Sequence, residues 1–163
     1  MLAERSIPTF RRVGAFAAVL VAVAGVAAVG SSVTDTGPSS WYATLAKPAW
    51  EPPGWAFGVV WTVLYVTIAV AGWLWWREGI DARPVLAWWT AQLILNMAWT
   101  LVFFGLEQPG WALAEIIVLD LAVVATIIVG WQVRRAASLL LLPYLAWIGF
   151  ATALNAAIVL ENR

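Results

Sequence analysis

The sequence predicts an all-α integral membrane protein, a five-transmembrane-helix bundle with a long first loop as a lid. Of its 163 residues, 63% are hydrophobic and 11% are charged, which is about half the charged fraction of an ordinary soluble domain. The apolar residues form five long runs, and a membrane-spanning helix needs about 20 apolar residues in succession. Short connections between the last four runs favour antiparallel neighbours within a single domain, residues 1–163.

Four of the runs contain no ionisable side chain over 22 residues or more, so each predicts a span directly. The fourth run along the chain is equally long but carries Glu115 and Asp120. Prolines and other turn-forming residues separate the runs. The predicted helices cover residues 13–34, 54–76, 84–106, 111–133 and 137–160, and the lid loop covers residues 35–53.

The first run has a second interpretation. It follows arginines and ends in small residues at Gly30 and Ser31, a pattern that a cleaved signal peptide also shows. Its apolar stretch of about 20 residues is longer than the roughly 7–15 residues of a signal core. We therefore favour a retained span, and N-terminal sequencing of the mature chain would distinguish the two.

Lysine and arginine predict the orientation, because cytoplasmic loops are enriched in both. One side of the membrane would carry seven of them, namely Arg5, Arg11, Arg12, Arg77, Arg83, Arg134 and Arg135. The other side would carry two, Lys47 and Arg163. The N-terminus is therefore predicted to be cytoplasmic, with the lid loop and the C-terminus on the outer side.

Composition excludes several kinds of chemistry. The chain has no Cys and no His, which excludes disulfides, thiolate nucleophiles, imidazole catalysis and the usual zinc or haem ligands. Nine basic residues balance nine acidic ones without clustering, so no nucleic-acid surface is expected. We therefore predict no metal site and no required cofactor, and the lipid membrane is an expected partner.

The 13 tryptophans are the most informative residues. Indole has an apolar body and a polar N–H, so it concentrates at membrane–water interfaces. Ten are interpreted as interfacial anchors: Trp41, Trp50, Trp55, Trp73, Trp75, Trp76, Trp88, Trp89, Trp111 and Trp131. Trp61, Trp99 and Trp147 instead lie roughly 8–20 Å inside the hydrocarbon, by the rise of a helix.

These three tryptophans share helix faces with other aromatic and polar side chains, because residues three and four apart are neighbours on a helix. The second helix presents Phe57, Trp61, Leu64, Tyr65 and Ile68; the third presents Gln92, Asn96, Trp99, Thr100 and Phe103; the fifth presents Tyr144, Trp147, Ala151, Leu154 and Asn155. The polar members can join the helices by hydrogen bonds worth about 0.6 kcal/mol each. They can also line an apolar ligand pocket beneath the lid. Because the aromatic and polar side chains of three helices converge at one depth, we favour the pocket over hydrogen bonding between helices alone.

Two acidic residues and a pair of alanines have other interpretations. Glu115 lies one turn below the outer end of its helix and is interpreted as interfacial. Asp120 lies roughly 14 Å deep and is expected to pair across helices or to line an oligomer contact. Ala87 and Ala91, four residues apart, permit close approach of a second copy, so a homodimer is a further expectation.

Three sequence motifs lie in the lid and second helix, in the third helix and in the last helix. In order they read WYATLAKPAWEPP at 41–53 with VWTVLY at 60–65, NMAWTLVFFG at 96–105, and PYLAW at 143–147 with Leu154 and Asn155. Together they resemble the tryptophan-rich sensory protein family, also called the translocator protein or peripheral-type benzodiazepine receptor family. The resemblance extends from the first helix to Leu160.

The resemblance implies a five-helix membrane protein that binds porphyrins such as protoporphyrin IX in a cavity under the first loop. Some members bind sterols or synthetic isoquinoline and benzodiazepine ligands, although the tail here lacks the tyrosine of the animal cholesterol motif. The implied lid residues are Trp41, Tyr42, Pro48 and Trp50. The implied wall residues are Trp61, Asn96, Trp99, Thr100, Trp147, Ala151 and Leu154, to which the face of the second helix adds Leu64.

We therefore expect a membrane porphyrin-binding protein that acts as a sensor or regulator in a porphyrin or stress response. The ring, or another planar apolar molecule, would stack on the buried indoles, and indole or amide N–H groups or Lys47 would bind its carboxylates. One alternative is light-dependent porphyrin breakdown, for which the family's tryptophan pair matches Trp61 and Trp147 as catalytic residues. Another is a porphyrin or sterol transporter, which the lack of an internal repeat or a helix broken at the midplane disfavours.

Overall fold

The computed structural model describes residues 9–163 of the chain; Arg5 and the side chains of Arg11 and Arg12, used above to predict orientation, lie outside what it describes. Within this range the regular structure is helical throughout. The helices are α1 Thr9–Val33, α2 Trp41–Thr44, α3 Gly54–Trp76, α4 Arg83–Thr100, α5 Pro109–Val133, α6 Arg135–Leu139 and α7 Leu142–Glu161. Five segments are long and apolar enough to cross a membrane. The predicted all-α membrane bundle is confirmed.

The spans form a closed ring in which α5 is the best packed member. It lies against α4 on one side and α7 on the other, while α1 packs against α3 and α4. The ring closes between α3 and α7, where contact is sparse. The ring therefore leaves space between its helices along that seam, and the candidate site lies there.

Proline determines where several helices begin. Pro84, Pro109 and Pro143 each lie in the first turn of their helix, where the missing N–H has no intrahelical partner to lose. Pro143 also explains why the helix predicted for residues 137–160 is two helices, α6 and α7, with a turn at 140–141. Its ring would clash with the carbonyl of Leu139 in a continuous helix.

The end of α4 on the side of the lid, which we call its outer end, widens into a π-helical turn, Leu101–Gly105. The Leu106 amide donates to the Leu101 carbonyl at 2.8 Å, and Glu107 ends the segment with a positive φ of 55°. Such turns inside α-helices are rare and common at functional sites. Here the turn carries Phe103 and Phe104, which both reach the candidate site.

Two tryptophans at the inner ends are core residues, so their interpretation as interfacial anchors is wrong. Trp75 is fully buried and its indole donates to the Gly130 carbonyl at 3.3 Å. Trp89 is 6% exposed and donates to the Ile68 carbonyl at 3.0 Å. Gly72 lies one turn beyond Ile68 and has no side chain to cover that carbonyl. A facing glycine therefore makes room for a buried indole.

Substitution of Gly72 by alanine is expected to destabilise the bundle. The added Cβ would lie 2.6 Å from Cε2 of Trp89, and overpacking of this kind costs about 1–3 kcal/mol, more than alanine gains in helix propensity, about 1 kcal/mol. Thermal unfolding of the purified protein in detergent should show a lower Tm. Gly149→Ala is the control, because its Cβ would meet nothing within 4 Å. A Tm for Gly72→Ala equal to or above that of Gly149→Ala would contradict the packing argument.

Candidate ligand cavity

A cavity of about 530 Å³ lies beneath the lid, between α1, α3, α7 and the outer end of α4. Pockets for drug-sized molecules range over about 300–1,000 Å³. Aromatic rings from three helices form much of its surface: Phe57, Trp61, Tyr65, Trp99, Phe103 and Trp147. The cavity therefore has the size and the apolar lining of a small-molecule site.

The structure brings seven of the residues predicted for the site to the cavity wall. Trp61, Trp99 and Trp147 lie there together with Thr100. Tyr42 contributes from the lid, and Ala151 and Leu154 from α7. The aromatic faces predicted for three separate spans thus share one hollow.

Five other predicted residues lie outside the wall. Trp41 packs edge-on behind Phe103, with ring centres 5.7 Å apart, and Pro48 accepts a hydrogen bond in a lid turn. Trp50 is half exposed. Leu64 is buried and borders a shallow groove on the outer surface between α3 and α7.

Asn96, the fifth, lies in the core below the cavity and is almost fully buried. Its Oδ1 accepts from the Tyr65 hydroxyl at 3.1 Å, and its Nδ2 donates to the Tyr144 hydroxyl at 3.3 Å. The amide thus joins α3, α4 and α7 at one point. Because Trp61 stacks on Tyr65 at 5.3 Å, Asn96 positions part of the wall without lining it.

Asn155 has a similar role nearer the lid but also lines the cavity. Its Oδ1 accepts from the Trp99 indole at 3.3 Å, and its Nδ2 donates to the Pro109 carbonyl at 2.9 Å. Trp99 in turn stacks on Phe103 at 5.3 Å. Both amides therefore act as interhelical hydrogen-bond donors and acceptors that fix the aromatic wall in place.

Trp61 and Trp147 line the cavity without donating to a protein acceptor among the described residues, and Trp73, which lies outside the cavity wall, also lacks such an acceptor. Trp75, Trp89 and Trp99 donate to protein acceptors, whereas Trp61 and Trp147 make no hydrogen bond with any residue in the range 9–163. Phe57 packs edge-on against Trp147 at 5.8 Å, and Trp61 packs edge-on against Tyr144 at 6.1 Å, which places both indoles at the α3–α7 seam. Two N–H donors in the wall thus remain for a ligand.

Sequence reasoning missed the contribution of α1 and of the start of the lid loop. Gly30, Ser31, Thr34 and Thr36 line one side of the cavity. These residues are small and show no spacing that separates them from any other helix end. The sequence indicated only that turn-forming residues are frequent in the lid loop that follows α1.

The lid is held by its own polar contacts. Ser40 accepts from the Ala43 amide at 3.2 Å and so caps α2. The Lys47 ammonium donates to the Tyr42 carbonyl at 2.8 Å, lies 4.6 Å from the centre of the Tyr42 ring and is 3.9 Å from Glu51. Burial, with the nearby Glu51 carboxylate, raises the pKa of Tyr42, a lid residue that lines the cavity.

Asn162 fastens the lid to the end of α7. Its Oδ1 accepts from the Ala46 amide at 3.0 Å, and its Nδ2 donates to the Ala46 carbonyl at 2.8 Å. A second contact lies beside it, where Trp50 packs edge-on against Phe150, with ring centres 5.6 Å apart. The lid is therefore attached to the helix that carries Trp147.

The two acidic residues of α5 lie apart from the cavity wall. Asp120 accepts from the Thr152 hydroxyl at 2.8 Å, across the contact between α5 and α7, so it pairs across helices. Both carboxylate oxygens of Glu115 are closed to solvent and have no hydrogen-bond partner in the described part of the chain. The interfacial interpretation of Glu115 is therefore wrong, because its carboxylate points into the protein.

Replacement of Asn162 by alanine is expected to loosen the lid without unfolding the bundle. The two hydrogen bonds to Ala46, each contributing about 0.5–1.5 kcal/mol, would be lost together with one to the Ile158 carbonyl, so protection of the Ala46 amide from hydrogen exchange should fall about tenfold. Glu161→Gln is the control, since the Glu161 side chain makes no hydrogen bond among residues 9–163. Unchanged exchange in Asn162→Ala, or equal change in both variants, would contradict the assignment.

Comparison with known proteins gives the family. The sequence model of the TspO/MBR family matches residues 17–160. The chain is 45% identical to the tryptophan-rich protein TspO of Archaeoglobus fulgidus over 89% of its own length and 95% of the relative's. It is 41% identical to the human translocator protein, over 83% and 82% of the two lengths. It is 40% identical to the tryptophan-rich sensory protein of Cereibacter sphaeroides, over 72% and 74%. The chain therefore belongs to the TspO/MBR family of integral membrane proteins.

Proposed function

We propose that the protein binds a porphyrin in the cavity beneath the lid and acts as a membrane sensor or regulator. The observation that carries the proposal is an aromatic cavity into which Trp61 and Trp147 bring indoles without protein acceptors. The name of the Cereibacter sphaeroides relative, a tryptophan-rich sensory protein, is in keeping with a sensory role. A ligand beneath the lid can alter the contacts that hold the lid, and such a change is a signal that a sensor can transmit.

Stacked aromatic pairs on three helices suit a flat ring. Trp61 stacks with Tyr65 on α3, Trp99 with Phe103 on α4, and Trp147 with Phe150 on α7, at centre distances of 5.3, 5.3 and 5.5 Å. An aromatic contact adds about 0.5–1.5 kcal/mol beyond the burial of apolar area. Because the chain has no His and no Cys, the usual axial ligands of haem iron are missing, and the proposed ligand is the metal-free ring.

We also propose that the N-terminus is cytoplasmic and that the protein forms a homodimer. The first follows from the lysine and arginine distribution in the sequence. For the second, Ala87 is exposed and Ala91 is half-buried on α4, which leaves this small-residue face open to a second copy.

Protoporphyrin IX is expected to quench the tryptophan fluorescence of the full chain, and the double variant Trp61→Phe/Trp147→Phe is expected to lose most of this quenching. Trp61 and Trp147 are two of the three indoles that line the cavity in the described part of the chain, so their removal takes away most of the nearest quenched groups and two N–H donors. A fluorescence titration in detergent measures it. The matched control is Trp55→Phe/Trp111→Phe, because those side chains are 72% and 74% exposed and do not line the cavity. Unchanged quenching in the Trp61/Trp147 variant would contradict this site.

Light-dependent breakdown of the bound porphyrin is the second candidate function. It is favoured by one observation, that Trp61 and Trp147 line the same cavity, since an excited porphyrin with oxygen needs an oxidisable neighbour and indole supplies one. The absorption spectrum of the complex in air should change under illumination and not in the dark. The double variant Trp61→Phe/Trp147→Phe should show a slower spectral change under light in the complex that it forms with the porphyrin. Identical spectra in light and dark would leave binding as the sole activity.

A further inference from the structure

The two sides of the cavity differ in chemistry. On the side formed by α4 and α7 lie large apolar side chains such as Trp99, Phe103 and Leu154. On the side formed by α1 and the start of the lid loop, the side chains are small or carry hydroxyls: Gly30, Ser31, Thr34 and Thr36. The start of α3 completes this side with Gly58 and Thr62, beside the aromatic rings of Phe57 and Trp61.

The small-residue side is the mouth of the cavity. Ser31, Gly58 and Thr62 are exposed, whereas Phe103 and Leu154 on the opposite side are buried. Ser31 lies two residues before the end of α1, and Gly58 lies one turn into α3. By the rise of a helix, the mouth is within about two turns of the outer ends of these spans, at the depth where headgroups and water begin.

No charged side chain lines the cavity in the described part of the chain. Lys47, the cation of the lid, is committed to the Tyr42 carbonyl and to Glu51. An ionised carboxylate buried against the aromatic side would therefore have no counterion, and burial of such an unpaired charge costs several kcal/mol. A carboxylate in this site must lie where water and hydrogen-bond donors remain.

Thr34 and Thr36 supply those donors. The hydroxyls of Ser31 and Thr62 donate to backbone carbonyls one turn earlier, at 3.0 and 2.8 Å. The Thr34 and Thr36 hydroxyls make no hydrogen bond within residues 9–163. Gly54 leaves space beside Thr36, since a Cβ there would lie 3.1 Å from its Oγ1. The mouth thus presents two uncommitted hydroxyls.

We infer that the cavity selects a planar ligand whose acidic groups lie along a single edge, and that this edge is held at the mouth by Thr34 and Thr36. The inference rests on the proposed porphyrin binding and adds an orientation and a selectivity to it. The apolar edge of the ring lies innermost, against Trp99 and Phe103. Protoporphyrin IX, with two neighbouring propionates, meets the requirement, and coproporphyrin, with a propionate on every pyrrole, does not.

The test compares protoporphyrin IX with its dimethyl ester, which has the same ring without the charges. Both are titrated against the full chain in nanodiscs of zwitterionic lipid, by quenching of tryptophan fluorescence. Thr36→Lys should tighten the diacid about fivefold to tenfold, and Thr36→Glu should weaken it by a similar factor, because a unit charge is added beside the carboxylates. The ester should change less than about twofold. Thr44→Lys and Thr44→Glu are matched controls on the lid, outside the cavity wall.

Each other outcome has a defined meaning. If the wild type binds the diacid but neither charge at position 36 alters its affinity, or if the ester responds as the diacid does, the edge is not at the mouth and the inference is overturned while porphyrin binding stands. If neither porphyrin quenches the wild type, the proposed function itself fails. Should the charged variants not fold, Thr36→Val still tests the donor, with about threefold weaker diacid binding expected. Equal wild-type affinity for coproporphyrin and protoporphyrin IX would also overturn the selectivity.

Discussion

The hydrocarbon interior of a membrane contains no water, so a polar side chain within a span is stabilised where the protein supplies its hydrogen-bond partner. This constraint organises the bundle. Asn96 joins the hydroxyls of Tyr65 and Tyr144 from neighbouring helices, and Asn155 joins Trp99 to the backbone at the start of α5. These hydrogen bonds fix the helices beneath and beside the cavity, so its aromatic wall keeps its shape without a ligand. The amides are committed to the protein, which leaves the indoles of Trp61 and Trp147 and the hydroxyls of Thr34 and Thr36 among the free polar groups of the wall.

Tryptophan occurs in three environments that hydropathy alone does not separate. Trp75 and Trp89 are buried where glycines of facing helices leave room for the rings and a backbone carbonyl accepts the indole N–H. Trp61 and Trp147 lie on the cavity wall. Trp55 and Trp111 are exposed near the outer ends, as interfacial anchors are expected to be. For Trp75 and Trp89, the small size of the facing glycine permits burial of the ring.

The sparse contact between α3 and α7 is what makes the cavity possible. Close packing holds α4, α5 and α7 together, so the space opens where the ring of helices is least constrained, and the lid covers it from outside. Because Asn162 and Phe150 hold the lid on α7, the lid is attached to the same helix that carries Trp147. Movement of α7 would therefore alter both the wall and the cover.

The sequence by itself determined the five spans, the lid through which prolines allow no long helix, and the positions of Trp61, Trp99 and Trp147 along their helices. These features depend on local hydropathy, helix rise and proline geometry, which need no knowledge of neighbours. The break before α7 was missed by the prediction of one helix over residues 137–160, although Pro143 forbids a continuous helix there. Only the tertiary structure decided that Asn96 lies below the cavity, that Leu64 lies outside it and that Thr34 and Thr36 form its mouth. A helical periodicity defines a face but not the helix opposite it, and small residues leave no pattern until the space beside them is known.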